Sequence, residues 1–216
     1  MAEIELLRAL PKGKRNVKAR GTAKTEEHVR ISREYGEAYF DGPREYGYGG
    51  YRYDGRWQPV AKDIVAHFGL KPGDRVLDVG CAKGFLVKDL LALGIDAYGV
   101  DVSRYALMHC EPEVIGRLHL GGADSLSFPD GSFAAVLSLN TIHNLPRDRC
   151  KIALQEIQRL APGKGFVQVD SYRTPEQKEA FESWVLTAAF HDYPDGWEAL
   201  FNEAGYTGDW YWTIIE

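Results

Sequence analysis

The 216-residue chain is long enough for one sizeable core and short for two full domains. Its composition, 44% hydrophobic and 26% charged, is that of a globular protein, and no apolar run reaches the ~18–20 residues that cross a bilayer, so no membrane partner is expected. The net charge of −5 is uneven: residues 1–24 hold Arg8, Lys12, Lys14, Arg15, Lys18, Arg20 and Lys24 against Glu3 and Glu5, a +5 arm ahead of a body near −10. Such an arm suits phosphate or an anionic partner, or else is a solvated, partly mobile tail, and the acidic body argues against nucleic acid. The opening Met1-Ala2-Glu3-Ile4-Glu5 is acidic where a secretion signal is basic, so none is expected. Cys81, Cys110 and Cys150 are odd in number and far apart, which suggests neither a disulfide framework nor a zinc site and favours a reducing cytoplasm.

In chain order, Thr25-Glu26-Glu27 reads as a capped helix start, with the helix running to about Tyr39. The stretch 39–57 is loaded with glycine and tyrosine and predicts a long aromatic loop. After it the pattern turns regular. A helix over 58–69 ends at Gly69, a strand covers 75–79, and a glycine-rich bend at 80–84 enters a helix with Phe85, Leu86, Leu90 and Leu91. A strand over 95–101 ends at Asp101, and Ser103 caps a short helix. Further strands are predicted at 118–120, 133–139 and 165–170, with a helix at 147–160. Thr174-Pro175-Glu176-Gln177 opens another helix, with Phe181, Trp184, Val185 and Ala188 as its stripe. Trp197, Leu200, Phe201 and Ala204 stripe the last helix, before a closing strand at about 207–215. Strands alternating with helices predict an α/β, Rossmann-like, mainly parallel sheet flanked by helices, preceded by an N-terminal helical and loop lid over 1–57. Ligands of such sheets sit at the carboxyl ends of the strands.

The chemistry concentrates in Val76-Leu77-Asp78-Val79-Gly80-Cys81-Ala82-Lys83-Gly84. Small residues at 80, 82 and 84 let the backbone turn sharply and approach a ligand closely, and a helix N-terminus follows. Asp101, at the end of the next strand, is placed to accept ribose hydroxyl protons; together these features read as a nucleoside-cofactor site. A dinucleotide loop, G-x-G-x-x-G, would put its third glycine five residues after the first, whereas Gly84 follows Gly80 by four.

These motifs resemble the class I S-adenosylmethionine-dependent methyltransferases. VLDVGCAKG is similar to their cofactor loop, GVDVS to their acidic ribose site, GGADSLSFPDGSFAAVLS to the adenine stretch of ubiquinone- and sterol-type members, and EIQRLAPGKGFV to their helix, turn and fifth strand. The resemblance spans about 58–170. It implies S-adenosyl-L-methionine as cofactor, with Asp78, Gly80, Ala82 and Gly84 along its methionine part, Asp101 and Val102 at the ribose, and Asp124 and Ser125 flanking adenine. Ala82 replaces the middle glycine, and only one strand is evident after the fifth where the family has two, so six or seven strands are expected.

Aromatic faces stabilise a desolvated sulfonium, and the loop offers Tyr46, Tyr48, Tyr51, Tyr53 and Trp57; Arg52, Arg56 and Lys83 are candidates for the cofactor carboxylate. At the acceptor end lie Asn140, His143 (a base, or a residue packing the next helix), Tyr172, Arg173 and, less directly, His191. The reading is O-, N- or C-methylation of a small-molecule acceptor, which Arg173 would suit if it is anionic, with a homodimer allowed; alternatives are intramolecular cyclisation or cleavage of the cofactor, a non-catalytic cofactor-binding module, or RNA methylation through the basic arm.

Overall fold

The computed structural model describes residues 1–11 and 17–215, with the side chains of 18–20 also outside the description. Lys12, Lys14 and Arg15 of the basic arm, and the Lys18 and Arg20 side chains, therefore lie outside the described residues. The elements are α1 (Val17–Ala23), α2 (Glu26–Ser32), α3 (Glu37–Phe40), α4 (Gln58–Phe68), β1 (Arg75–Val79), α5 (Phe85–Ala92), β2 (Asp96–Asp101), α6 (Arg104–Met108), β3 (Leu118–Leu120), β4 (Ala135–Leu139), α7 (Arg147–Leu160), β5 (Gly165–Asp170), α8 (Pro175–Trp184), α9 (Pro194–Ala204) and β6 (Asp209–Thr213).

Six strands form one parallel sheet in the order β3-β2-β1-β4-β5-β6. Period-two alternation sorts its side chains onto two apolar faces. Val76, Ala135, Leu137 and Phe166 pack against α4 and α5. Leu77, Val79, Val136, Val167 and Val169 pack against α7 and α9. Chain order reverses between β1 and β4, which opens a crevice at their carboxyl ends.

Three expectations need correction. The helix predicted to run to Tyr39 breaks after Ser32. The buried Ser32 hydroxyl lies 2.5 Å from the His28 carbonyl and 2.6 Å from that of Tyr46, drawing the loop against the helix end. Tyr35 then takes φ +49 and α3 restarts the chain in a new direction. Val185 and Ala188 lie beyond α8, because Val185 is already extended.

The third concerns the N-terminal arm, whose first residues are not a solvated tail. The Ile4 N–H donates to the Trp210 carbonyl (2.8 Å) and the Trp210 N–H to that of Ala2 (3.0 Å), a parallel bridge that covers the outer edge of β6. Leu6 and Leu7 are buried in the same cluster as Val60 and Ile64. The first residues thus share a core with the sheet's helices.

Leu6→Ala should cost about 2–4 kcal/mol by urea unfolding, the range for emptying a buried leucine site. A solvated tail would lose less than about 0.5 kcal/mol.

Candidate active site

The β1–α5 loop is built around two left-handed residues. Gly80 has φ +86, and a Cβ there would sit 2.0 Å from Thr141 Oγ1, so only glycine lets the chain after β4 close against this loop. Ala82 has φ +50, and its N–H donates to Asp101 Oδ2 at 2.7 Å. The Ser103 N–H donates to Asp101 Oδ1 at 2.8 Å. Each oxygen keeps a second lone pair for a ligand hydroxyl. Burial pushes the Asp101 carboxyl up, and the Ser103, Ala82 and Val102 amides pull it back.

Asp78 is 5% exposed, and among the described residues no group donates a hydrogen bond to it. Burial first, then the Asp101 charge, raises its carboxyl to about 7. Two neighbouring carboxylates without a protein cation make a site that favours a cationic ligand.

A cavity of about 230 Å³ opens beside the loop, walled by Gly80, Ala82, Asp101 and Val102 on one side and by Asn140, Thr141, Asn144 and Leu145 on another. Tyr35, Tyr39, Phe40 and Tyr48 close it with an aromatic wall. A second hollow of about 460 Å³ shares Tyr35, Val102 and Gly121 with it and continues past Tyr105 and Leu120. Burial raises the Tyr39 phenol well above its usual value and the Tyr35 phenol to about 12, so both stay neutral.

Of the residues proposed for the cofactor, Gly80, Ala82, Asp101, Val102 and Asn140 meet in this wall. Gly84 caps α5 and packs toward Leu118. Tyr51 lies behind the wall, 4.4 Å from Tyr48 and 4.7 Å from Phe85 between ring centroids. Asp124 pairs with Arg149, Ser125 is exposed, and Arg56 pairs with Asp54 at the surface. Lys83 points its ammonium to Asp41 at 2.6 Å.

Of the acceptor-side candidates only Asn140 reaches the cavity, and its Oδ1 accepts from the Thr213 hydroxyl at 2.6 Å. His143 is buried, with Nδ1 accepting the Asp170 N–H (3.0 Å) and Nε2 3.3 Å from the Asp170 carboxylate. Burial pushes its imidazole down, against the pull of Asp170. Both ring nitrogens are spent on the end of β5. The Tyr172 hydroxyl lies 3.1 Å from His191 Nδ1 in a separate apolar cluster, and Arg173 pairs with Glu3. Sequence reasoning missed Tyr35 and Tyr39, hidden in a presumed helix; the signal was Gly36, a poor helix residue, directly after Tyr35.

Comparison with known proteins agrees with this geometry. The family model described as a methyltransferase domain matches residues 77–169. That span runs from β1 to the end of β5 and includes Gly80, Asp101 and Asn140. Residues 77–169 are thus similar to a methyltransferase domain, in agreement with the family that the sequence motifs resemble. It is 29% identical over 205 residues to the 2-methyl-6-phytyl-1,4-hydroquinone methyltransferase of Synechocystis, covering 84% of this chain and 62% of that one. It is 27% identical over 195 residues to the demethylmenaquinone methyltransferase of Symbiobacterium thermophilum, covering 70% and 76%. Among solved structures, the YcgJ protein of Bacillus subtilis shares the fold at 18% identity and a TM-score of 0.56, over 67% of this chain and 66% of that one. The family's cofactor suits the site: the bend at Gly80 admits close approach, Asp101 offers free lone pairs, and the carboxylates favour the sulfonium and ammonium charges.

Two outcomes follow from this loop. Asp78 binds its proton more tightly folded than unfolded, so its contribution to stability is full below about pH 4 and lost as pH rises through about 7. Asp78→Asn should therefore raise the Tm of the cofactor-free protein at pH 8, by roughly 2–4 kcal/mol equivalent, with a much smaller gain at pH 5. Gly80→Ala should lower the Tm, and Thr141→Ala in the same chain should restore part of the loss by removing the atoms the new Cβ meets.

Proposed function

We propose that the chain transfers the methyl group of S-adenosylmethionine to a small aromatic acceptor bearing ring hydroxyls, of the hydroquinone type. The observation that carries this reading is the cavity itself: it lies at the strand ends beside Asp101, is closed by four aromatic residues, and has no Lys or Arg in its wall among the described residues. The names of the Synechocystis and Symbiobacterium relatives support the acceptor class. A wall that offers an anion no cation among the described residues favours a flat neutral ring over an anionic acceptor, and Arg173, the candidate for binding one, is paired with Glu3.

S-adenosylmethionine would supply an activated methyl group on a sulfonium. The chain's part is to hold the ribose at Asp101, to rest the adenine against Val102 and Ala123, and to set the acceptor between Asn144 and the tyrosines. Asn144 suits that end: its Oδ1 is buried and has no partner among the described residues. The cavity is smaller than the ~300–1,000 Å³ of most ligand sites, so the aromatic segment acts as a cover that shifts to admit the cofactor and then excludes water. Asp124 and Ser125 would approach adenine from beyond Ala123. The three cysteines are unpaired, two of them buried, in keeping with work in a reducing cytoplasm. A homodimer could form at the open β3 edge, where Leu120 and Ile115 are exposed, and sedimentation would test it.

Asp101→Ala should weaken S-adenosylhomocysteine binding at least about tenfold, the value of one or two charge-assisted hydrogen bonds, measured by calorimetry. Incubation with methyl-labelled cofactor and 2-methyl-1,4-hydroquinone should give a labelled product, and Asn144→Leu should reduce that turnover more than it reduces cofactor affinity. Labelling of phosphoethanolamine with none of the hydroquinone would overturn the acceptor class.

A further inference from the structure

Asp41 follows α3 directly, beside Phe40 of the aromatic wall. Its carboxylate gathers donors from three separate parts of the chain. Oδ2 accepts from the Lys83 ammonium at 2.6 Å and from the Tyr105 hydroxyl at 2.8 Å, and Oδ1 accepts the Tyr51 N–H at 3.0 Å. Lys83 belongs to the Gly80–Gly84 loop and its side chain is 8% exposed, yet Asp41 is its one anionic partner among the described residues. Tyr105 lies on α6, the helix that follows Asp101, and its ring stacks 6.3 Å from Phe40. Phe40 in turn contacts Tyr39 at 5.0 Å and Tyr48 at 5.9 Å between centroids. Burial alone would raise the Asp41 carboxyl; the Lys83, Tyr105 and Tyr51 bonds outweigh it and hold the group below the usual carboxylate value.

We propose that Asp41 is a positioning residue that couples the aromatic wall to the cofactor loop. Through Lys83 the wall is indexed to the loop, and through Tyr105 to the helix after the ribose carboxylate. Ordering of residues 80–84 by a ligand then orders residues 35–51, and by reciprocity a correctly seated wall raises affinity at the loop. The inference rests on reading the cavity as the cofactor's site.

The test is S-adenosylhomocysteine binding by calorimetry and hydrogen exchange, with Tm measured alongside, on wild type, Asp41→Asn, Lys83→Met and the double variant. In wild type the ligand should slow exchange over both 80–84 and 35–51. Each single variant should bind at least about fivefold more weakly, with protection kept at 80–84 and lost over 35–51. The double variant should be no weaker than either single one, as for two halves of one interaction. Asp41→Glu, which keeps the charge, should recover part of the affinity and the protection.

Wild-type affinity and wild-type protection of 35–51 in Asp41→Asn would overturn the proposal. So would losses that multiply in the double variant, because Lys83 would then act on the ligand independently of Asp41. Should Asp41→Asn not fold, Tyr105→Phe removes one donor from the same oxygen; it should reduce protection over 35–51, and unchanged protection there counts against the coupling. A wild-type protein that binds no S-adenosylhomocysteine would overturn the cofactor reading, and this inference with it.

Discussion

The site depends on one carboxylate accepting two backbone amides. Asp101 takes the N–H groups of Ala82 and Ser103, which ties the loop after β1 to the turn after β2. The first of these bonds supports Ala82 in a left-handed conformation that costs a non-glycine residue about 1–2 kcal/mol. It also keeps a negative charge beside Asp78, which is buried without a donor and so resists ionisation. The candidate cation of the same loop, Lys83, is turned to Asp41. A loop shaped in this way has lower free energy with a positive ligand present, and the sulfonium and ammonium of S-adenosylmethionine meet that requirement. Shape and charge at the cofactor end therefore have one origin.

The sheet was legible in the sequence because its signals are local. Val76-Leu77-Asp78-Val79 must be a buried strand, Gly80 and Gly84 must bend, and Gly69 and Gly205 end their helices in left-handed caps. The cofactor loop and Asp101 follow from the same reading, since a parallel sheet puts consecutive strand ends side by side. What escaped is whatever depends on distant partners. Tyr35 and Tyr39 fit a helical pattern as well as a wall, and the Ser32 contact that breaks the helix reaches fourteen residues ahead to Tyr46. Asp41 is unremarkable in the sequence, because Lys83 and Tyr105 lie 42 and 64 residues away. The bridge from Ala2 and Ile4 to Trp210 spans nearly the whole chain, so a basic, solvated arm was the natural expectation for those first residues.

His143 shows how a plausible catalytic residue dissolves into structure. Its position just past β4 is where an acceptor base belongs, yet its Nδ1 receives the Asp170 amide and its Nε2 faces the Asp170 side chain. Its carbonyl also accepts the Ala189 and Phe190 amides. It fastens the end of β5 and the chain before α9 to the turn after β4, and so shapes the wall without entering it.

The removal of His143 from the wall constrains the chemistry. The remaining titratable groups there, among the described residues, are Asp101, reserved for the cofactor's ribose, and Tyr35, Tyr39 and Tyr48, whose phenols burial raises above their usual value. None of these is poised near neutrality to take a proton from the acceptor, and Asp78, which is raised to about 7, does not line the cavity. For the proposed methyl transfer, rate enhancement would then come mainly from alignment and from exclusion of water, effects that together supply up to ~7–11 kcal/mol in well-oriented displacements. That requirement suits an acceptor whose own ring is electron-rich, because hydroxyl groups feed the nucleophilic centre without a strong protein base. On the proposed function, the aromatic surface gathered at one end of a modest sheet has a use: with little acid–base help available, the wall would hold the acceptor's ring in line and dry.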